Sequence, residues 1–348
     1  MTAKAFRVAL VGCGRISGNH FDAIAKVDGL QLTAVCDVVE ERARAAGERT
    51  GAKSFTSYSE MLSKAECDVV AIATPSGLHP PQGIMAAEAG KNIITEKPMA
   101  ISLKGADALI EACDSAGVEL FVVKQNRLNA PVQLVKRAVE KGRFGKIYLV
   151  NSTVRWSRPQ EYYDQASWRG TRALDGGAIM NQASHYVDLV QWLAGPVESV
   201  VAKTATLARR IETEDTGVAV LKFVSGAIGT IEVTMLTYPK NLEGSITILG
   251  ERGTAKIGGT AVNKIEHWQF AEADEDDVLV EASSSSPPNV YGYGHEGYYR
   301  NVLAVLRGDA KAETDGREGR KSLELILSIY RASQLAREVR LPLVETAS

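Results

Sequence analysis

Val8-Ala9-Leu10-Val11-Gly12-Cys13-Gly14-Arg15-Ile16-Ser17-Gly18 decides how this chain is read. The apolar run that leads into it, residues 6–11, is broken only by Arg7, and a helical stretch to residue 27 follows it. A strand that enters a Gly-x-Gly turn and leaves as a helix gathers backbone N–H groups and the positive end of a helix dipole at one point. That arrangement cradles a pyrophosphate. Gly12 permits the tight turn, and Gly14 lets the backbone approach the phosphates. The third small position of the fingerprint holds Ser17, with Gly18 one place late. The next strand, 30–36, ends in Asp37. A carboxylate there accepts ribose hydroxyls and repels a 2′-phosphate, which favours NAD over NADP. Arg42, a turn further on, leaves NADP open.

Outward from this point, strand and helix alternate. Residues 40–50 have helical composition with Gly51 as a stop, and 69–73 is a short buried strand. A helix over 81–89 closes at Gly90, a strand over 92–95 runs into Glu96-Lys97-Pro98, and a helix over 103–115 precedes a strand over 118–123. Such alternation predicts parallel βαβ units. After residue 130 the style changes. A helix over 132–141, a strand over 147–154 and a helix over 179–193 precede six strands with no helix between them, at 197–206, 216–223, 227–235, 245–249, 254–257 and 265–270. These predict a mainly antiparallel sheet. Helix returns at 298–306 and 321–338. The expected fold is α/β: a Rossmann-type doubly wound parallel sheet in residues 1–125, then an α+β domain in 126–348 with an open, mainly antiparallel sheet. The second domain is expected to bind substrate and to oligomerise, with its C-terminal helix placed to pack back on the first.

The 348 residues suit about two domains of ordinary size. A net charge of −2, with neither part of the chain strongly of one sign, argues against a nucleic-acid footprint and a polybasic membrane patch. No apolar run reaches the length of a membrane span, and the first residues read as a strand rather than a signal peptide. The four cysteines lie in the first third without a C-x-x-C pair, as small buried residues of a reducing, cytoplasmic compartment. The acidic run 272–277 and the Ser/Pro-rich run 283–288 read as solvated surface loops, and no metal site is expected.

Three constellations carry chemistry. Thr74–Ser76 and Glu96–Pro98 follow parallel strands, and such carboxyl ends border the ligand crevice of a doubly wound sheet. In the 179–193 helix, Asn181, Ser184, His185 and Asp188 are spaced three and four apart as one polar stripe, which suits an oriented base. Residues 155–172 gather Arg155, Trp156, Arg158, Tyr162, Tyr163, Trp168, Arg169 and Arg172. Guanidinium forks match carboxylates and phosphates, so an anionic substrate is expected there. Each has a plainer reading: a surface lysine, a structural histidine, a basic surface loop. The aromatic run 291–299, with His295, reads as a loop within reach of a ligand or a neighbouring subunit, with core packing the commoner explanation.

The glycine loop, Ala73-Thr74-Pro75-Ser76-Gly77-Leu78-His79, Glu96-Lys97-Pro98, the stretch from Gly176-Gly177 to Asn181 and His185, and the late Asp315-Gly316 helix occur in an order and spacing that resemble the glucose–fructose oxidoreductase/inositol dehydrogenase/MocA family over nearly the whole chain. The resemblance implies that Lys97 and His185 border the nicotinamide and the substrate carbinol. Asn181 joins them as a catalytic residue. It implies NAD contacts from Gly12, Gly14, Arg15, Ile16, Asp37, Thr74, Pro75, Ser76, His79, Glu96, Lys97, Asn126, Trp168 and Arg169. Substrate contacts are implied for Lys97, Arg155, Arg158, Tyr163, Asn181 and His185. Many sugar dehydrogenases of the family carry Asp four residues before the histidine. Asn181 stands there instead, so proton removal leans more on Lys97. Residues 155–170 resemble the branch that oxidises nucleotide-linked sugar acids. That implies a UDP-linked amino sugar acid, oxidised at its C3 hydroxyl for a downstream aminotransferase in surface-polysaccharide synthesis. It also implies a homo-oligomer, a tetramer before a dimer. A dehydrogenase of inositol or another sugar, and a non-catalytic NAD or nucleotide-sugar sensor, remain as alternatives.

Overall fold

The computed structural model describes residues 5–259, 261–285 and 290–343. The first residues, read above as the approach to a strand, and the core of the Ser/Pro-rich run, 286–289, lie outside the described residues. The chain forms two compact units. One takes the chain up to Lys124 together with His295–Arg320, and the other takes Gln125–Gly294 with the chain from Lys321 onward.

The first unit holds a six-stranded parallel sheet in the order β3-β2-β1-β4-β5-β6. Its strands are β1 (Phe6–Val11), β2 (Leu30–Cys36), β3 (Lys53–Phe55), β4 (Val69–Ile72), β5 (Asn92–Thr95) and β6 (Leu120–Val122). Val8–Leu10, Val69–Ala71, Ile93 and Ile94 have no exposed surface, as expected of central strands covered by helices on both faces. The chain order reverses beside β1, and β1 and β4 pair there in parallel. The crevice outside the carboxyl ends of these two strands is where open α/β sheets bind ligands. The late segment joins this unit through backbone: Val122 N donates to Thr314 O at 2.8 Å, and Phe121 bridges Asp315. The division therefore falls at Lys124, and residues 295–320 group with the first unit although they follow the second in sequence.

The second unit holds an eight-stranded sheet in the order β13-β12-β11-β7-β10-β9-β8-β14. Its strands are β7 (Ile147–Arg155), β8 (Val197–Ala205), β9 (Thr216–Phe223), β10 (Ile228–Thr234), β11 (Glu243–Gly250), β12 (Gly253–Gly258), β13 (Lys264–Phe270) and β14 (Val339–Arg340). Only β7 and β10 pair in parallel; the other pairings are antiparallel. Burial alternates along β9 and β10, so one face is packed and the other open. Helix Ser184–Ala194 packs against β7 and β11 on the covered face.

Two expectations are corrected. The acidic run is a solvated loop only in part: Glu272 and Glu275 are exposed, but the rest is structured. Asp274 caps a short 3-10 turn, Glu275–Leu279, whose carboxylates meet cations on and just after helix Ala130–Glu140. Arg137 and Lys141 both reach Asp276, and Arg143 forks onto Asp277 at 2.8 and 3.1 Å. The Arg143 hydrogen bonds hold Asp277 down to about 2. The single helix expected over 179–193 is also broken. Ala178–Gln182 forms a π-type turn closed by Ala183 N to Ala178 O at 3.0 Å, and the α-helix begins at Ser184.

Candidate active site

In the first unit the site residues stand at strand ends. Gly12 has φ +97°, and a Cβ there would lie 2.5 Å from the carbonyl oxygen of Ala73, at the end of β4. A Cβ on Gly14 would meet nothing within 4 Å. The loop is thus closed against protein at Gly12 and open at Gly14, the two properties a pyrophosphate cradle needs. Ser17 completes the turn by donating from Oγ to Gly14 O at 2.7 Å, which explains how Ser serves at the third position. Asp37 is buried beside the loop. Its Oδ2 accepts from Cys13 N at 2.9 Å and its Oδ1 from Val39 N at 2.8 Å. Each carboxylate oxygen keeps a second lone pair, so the geometry still fits a ribose diol. These residues fit a dinucleotide.

His79 and Glu96, for which the resemblance implies NAD contacts, are also engaged by groups of the protein itself. His79 is wholly buried, and burial pushes its pKa down. Its Nε2 lies 2.8 Å from Thr74 O and its Nδ1 2.8 Å from Pro98 O, so the ring sits between the turns after β4 and β5, and its one N–H donates to one of the two carbonyls. Thr74 Oγ1 donates to Gln82 Oε1 at 2.6 Å. The Lys97–Pro98 bond is cis. The Glu96 carboxylate is 7% exposed: Oε1 meets His20 Nε2 at 3.1 Å, and Oε2 accepts from Lys97 N at 3.1 Å. Lys97 itself is half-buried.

In the second unit His185 is buried in the first turn of helix Ser184–Ala194. The side-chain amide of Gln125 lies 3.2 Å from His185 Nε2. Gln125 was missed in the sequence because nothing in its surroundings marks it. The expected stripe does not act as one relay. Asn181 lies in the π-type turn and its Nδ2 donates to Asp175, which also accepts from Gly170 N at 2.6 Å. A carboxylate therefore stands one hydrogen bond behind Asn181. Asp188 accepts the fork of Arg127 at 2.7 and 2.8 Å, a buried ion pair stacked on Trp192.

The turn that carries Asn181 is shaped by Glu214. This buried carboxyl accepts from Ile179 N and from Tyr330 OH, both at 2.8 Å, and Tyr330 OH accepts in turn from Met180 N at 3.0 Å. Gly177, at φ +118°, leaves room that any Cβ would take from Glu214 and Tyr330. Burial raises the Glu214 pKa to about 7.

The arginines separate. Arg155, at the end of β7, spends its fork on Glu232 at 2.7 and 2.8 Å and on Glu243 at 3.1 Å, so its charge is taken up on the sheet. Arg158 lies over the rings of Trp156 and Tyr162, with Nε donating to Gln182 at 3.1 Å. Arg169 stacks on Tyr162 at 4.2 Å and on Trp168 at 4.8 Å, and its buried Nε has no hydrogen-bond partner among the described residues. Tyr163 is 7% exposed. Asn126 is 2% exposed, and its Oδ1 likewise lacks a partner among the described residues. His295, Tyr298 and Tyr299 are buried in the first unit, so this part of the aromatic run is core.

The comparisons agree with this chemistry. Residues 6–124 match the oxidoreductase family model with an NAD-binding Rossmann fold, and residues 132–256 match the GFO/IDH/MocA C-terminal domain. The WlbA dehydrogenase of Bordetella pertussis, crystallised with NADH and UDP-GlcNAcA, is 56% identical over 99% of this chain and 100% of its own, with a TM-score of 0.96. The WlbA dehydrogenase of Chromobacterium violaceum, also with NADH and UDP-GlcNAcA, is 55% identical over 99% and 98%, with a TM-score of 0.94. A D-apiose dehydrogenase of Paraburkholderia graminis is 29% identical over 99% of this chain and 92% of its own. With an NAD-binding Rossmann domain followed by the matching C-terminal domain, the chain belongs to the GFO/IDH/MocA family of oxidoreductases.

Proposed function

We propose that this chain oxidises the C3 hydroxyl of UDP-N-acetylglucosaminuronic acid to the 3-keto sugar, with NAD as hydride acceptor, in the synthesis of surface-polysaccharide sugars. The observation that carries the reading is 56% identity over 99% of the chain to a dehydrogenase crystallised with NADH and this nucleotide sugar. The guanidinium groups of Arg158 and Arg169, each seated on aromatic rings, support an anionic substrate.

When bound, NAD supplies the acceptor for the hydride that leaves C3. The protein does the rest. Gly12, Gly14 and the start of helix Ser17–Lys26 hold the pyrophosphate, and Asp37 takes the adenosine ribose. Asn181, fixed by Asp175, orients the sugar. The C3 hydroxyl proton passes to His185, assisted by Lys97, as the hydride leaves C3 and the carbonyl forms. The 3-keto product is a substrate for an aminotransferase. The open face of the second sheet supports assembly as a homo-oligomer, a tetramer in this reading. Four unpaired cysteines suit a reducing compartment, the cytoplasm in this reading; among the described residues no helix is long and apolar enough to cross a membrane.

The test is NADH formation by purified protein offered UDP-N-acetylglucosaminuronic acid, myo-inositol, D-apiose and free glucuronic acid in parallel. Preference for the nucleotide sugar acid is expected. Preference for D-apiose or inositol would replace the substrate while keeping the chemistry, a reading that the D-apiose dehydrogenase relative favours. NAD binding without turnover of any of them would favour a sensor.

A further inference from the structure

Behind Lys97 lies a chain of buried polar groups that no step above uses. Tyr299 OH lies 2.7 Å from His20 Nδ1, His20 Nε2 lies 3.1 Å from Glu96 Oε1, and Glu96 Oε2 accepts from the backbone N–H of Lys97 at 3.1 Å. Glu96 is 7% exposed, His20 1%, and Tyr299 not at all. One arrangement satisfies every link: His20 Nε2–H donates to Glu96, and the tyrosine hydroxyl donates to Nδ1. Burial works to raise the Glu96 pKa, but the His20 hydrogen bond, with the charge of Lys97 nearby, outweighs it and holds the carboxyl well below its usual range. A buried anion thus stands next in sequence to the proposed proton-handling amine, with both of its oxygens engaged by protein.

We propose that Glu96 is the positioning residue for Lys97: the Tyr299–His20 chain fixes one carboxylate oxygen, so the other pins the Lys97 backbone and the charge favours the ammonium form of its side chain. The proposal rests on the assignment of Lys97 to proton transfer. The other polar groups packed here are His295 and Tyr298, from helix Gly294–Leu306, and His79, at the start of helix His79–Glu88. Burial lowers His295 to about 3, and neither of its ring nitrogens has a partner among the described residues. It is neutral in the working range and does not compete for the carboxylate. His20, Glu96 and His295 could alternatively ligate a cation, since their donor atoms lie within 4.8 Å of one another. The Lys97 charge beside Glu96 disfavours a dication there.

The test is the pH profile of kcat/KM in Glu96→Gln, which keeps shape and removes charge. Without the anion the ammonium is less favoured, so the acidic limb moves to lower pH by about one unit, and kcat falls by roughly tenfold as the amine loses basicity and alignment. Glu96→Asp, which keeps the charge, returns the limb towards its wild-type position. Tyr299→Phe releases one link and moves the limb the same way by less, giving a second reading if Glu96→Gln folds poorly. An unmoved limb in both Glu96→Gln and Tyr299→Phe overturns the proposal, as does a stoichiometric transition metal in the purified protein. Lys97→Ala separates the two levels. If it still turns over, the assignment of Lys97 fails and the proposal with it. If it is inactive while the Glu96→Gln limb is unmoved, only the proposal fails.

Discussion

Gly12 shows how far a single residue is determined. Its φ of +97° and the 2.5 Å that would separate a Cβ from Ala73 O leave no relaxed place for any side chain. Gly12→Ala is expected to cost about 1–3 kcal/mol in stability, read as a lower denaturant midpoint, and to weaken NAD binding by at least roughly tenfold in a fluorescence titration. An unchanged NAD affinity would remove the loop from the cofactor site. Arg169 tests the anion assignment. Arg169→Ala is expected to raise KM for the nucleotide sugar acid by roughly tenfold or more with a smaller change in kcat, as loss of a binding charge does. The turn at Gly12 and the place of Asp37 at a strand end were legible in the sequence because both are local properties. Arg155 was not. Its type suits an anionic ligand, but its partners, Glu232 and Glu243, sit far along the chain on β10 and β11, and only strand pairing brings them to it.

At the scale of elements, the π-type turn at Ala178–Gln182 is the feature that spacing missed. Periodicity assumes 3.6 residues per turn, so it laid Asn181 and His185 on one stripe. The departure comes from Glu214 and Tyr330, which take the N–H groups of Ile179 and Met180 and lie 35 and 150 residues away from them in sequence. This arrangement should show in stability against pH. The folded Glu214 pKa is raised to about 7, above its unfolded value, so the protonated form is the one the fold prefers. Its stabilisation is full below the unfolded value near 4 and is lost as pH rises through about 7. Glu214→Gln keeps the acceptor oxygen and cannot ionise. It is therefore expected to gain on wild type by up to about 3 kcal/mol between pH 5 and pH 8, measured as the difference in urea unfolding free energies. A constant difference across that range would contradict the buried-acid reading. In the next element, Asp188→Ala would leave the Arg127 guanidinium buried without its fork, and a loss of about 3–5 kcal/mol in the same measurement is expected. A loss below about 1 kcal/mol would mean that the pair is solvated.

For the molecule as a whole, the parallel sheet was legible nearly strand by strand, because buried βαβ strands are unbroken apolar runs. β3 and β14 were not, since three-residue and two-residue edge strands carry no such run. The grouping of residues 295–320 with the first unit was equally hidden, because it depends on backbone pairing at β6, on Tyr299 reaching His20 and on Arg317 and Arg320 reaching Asp114 and Asp107, all far away in sequence. The open face of the second sheet bears on assembly. Val201 on β8 lies opposite Val220 on β9, and Val218 and Ile228 belong to the same face; all four are 47–53% exposed. Branched apolar side chains on one face of three neighbouring strands, Val201 and Val220 directly paired, form the kind of patch that a second copy covers, and a two-fold axis would use each of them twice. Covering a half-exposed valine is worth on the order of 1 kcal/mol, so one well-placed charge offsets several such contacts. Val220→Glu is therefore expected to convert the oligomer to a species of half the mass or less in sedimentation velocity. The far-UV spectrum should stay unchanged, because the inner face, where Ala219 and Leu221 are buried, is untouched. If the variant sediments as the wild type does, the face is not the contact, and if the wild type is itself a monomer, the proposed assembly falls with it.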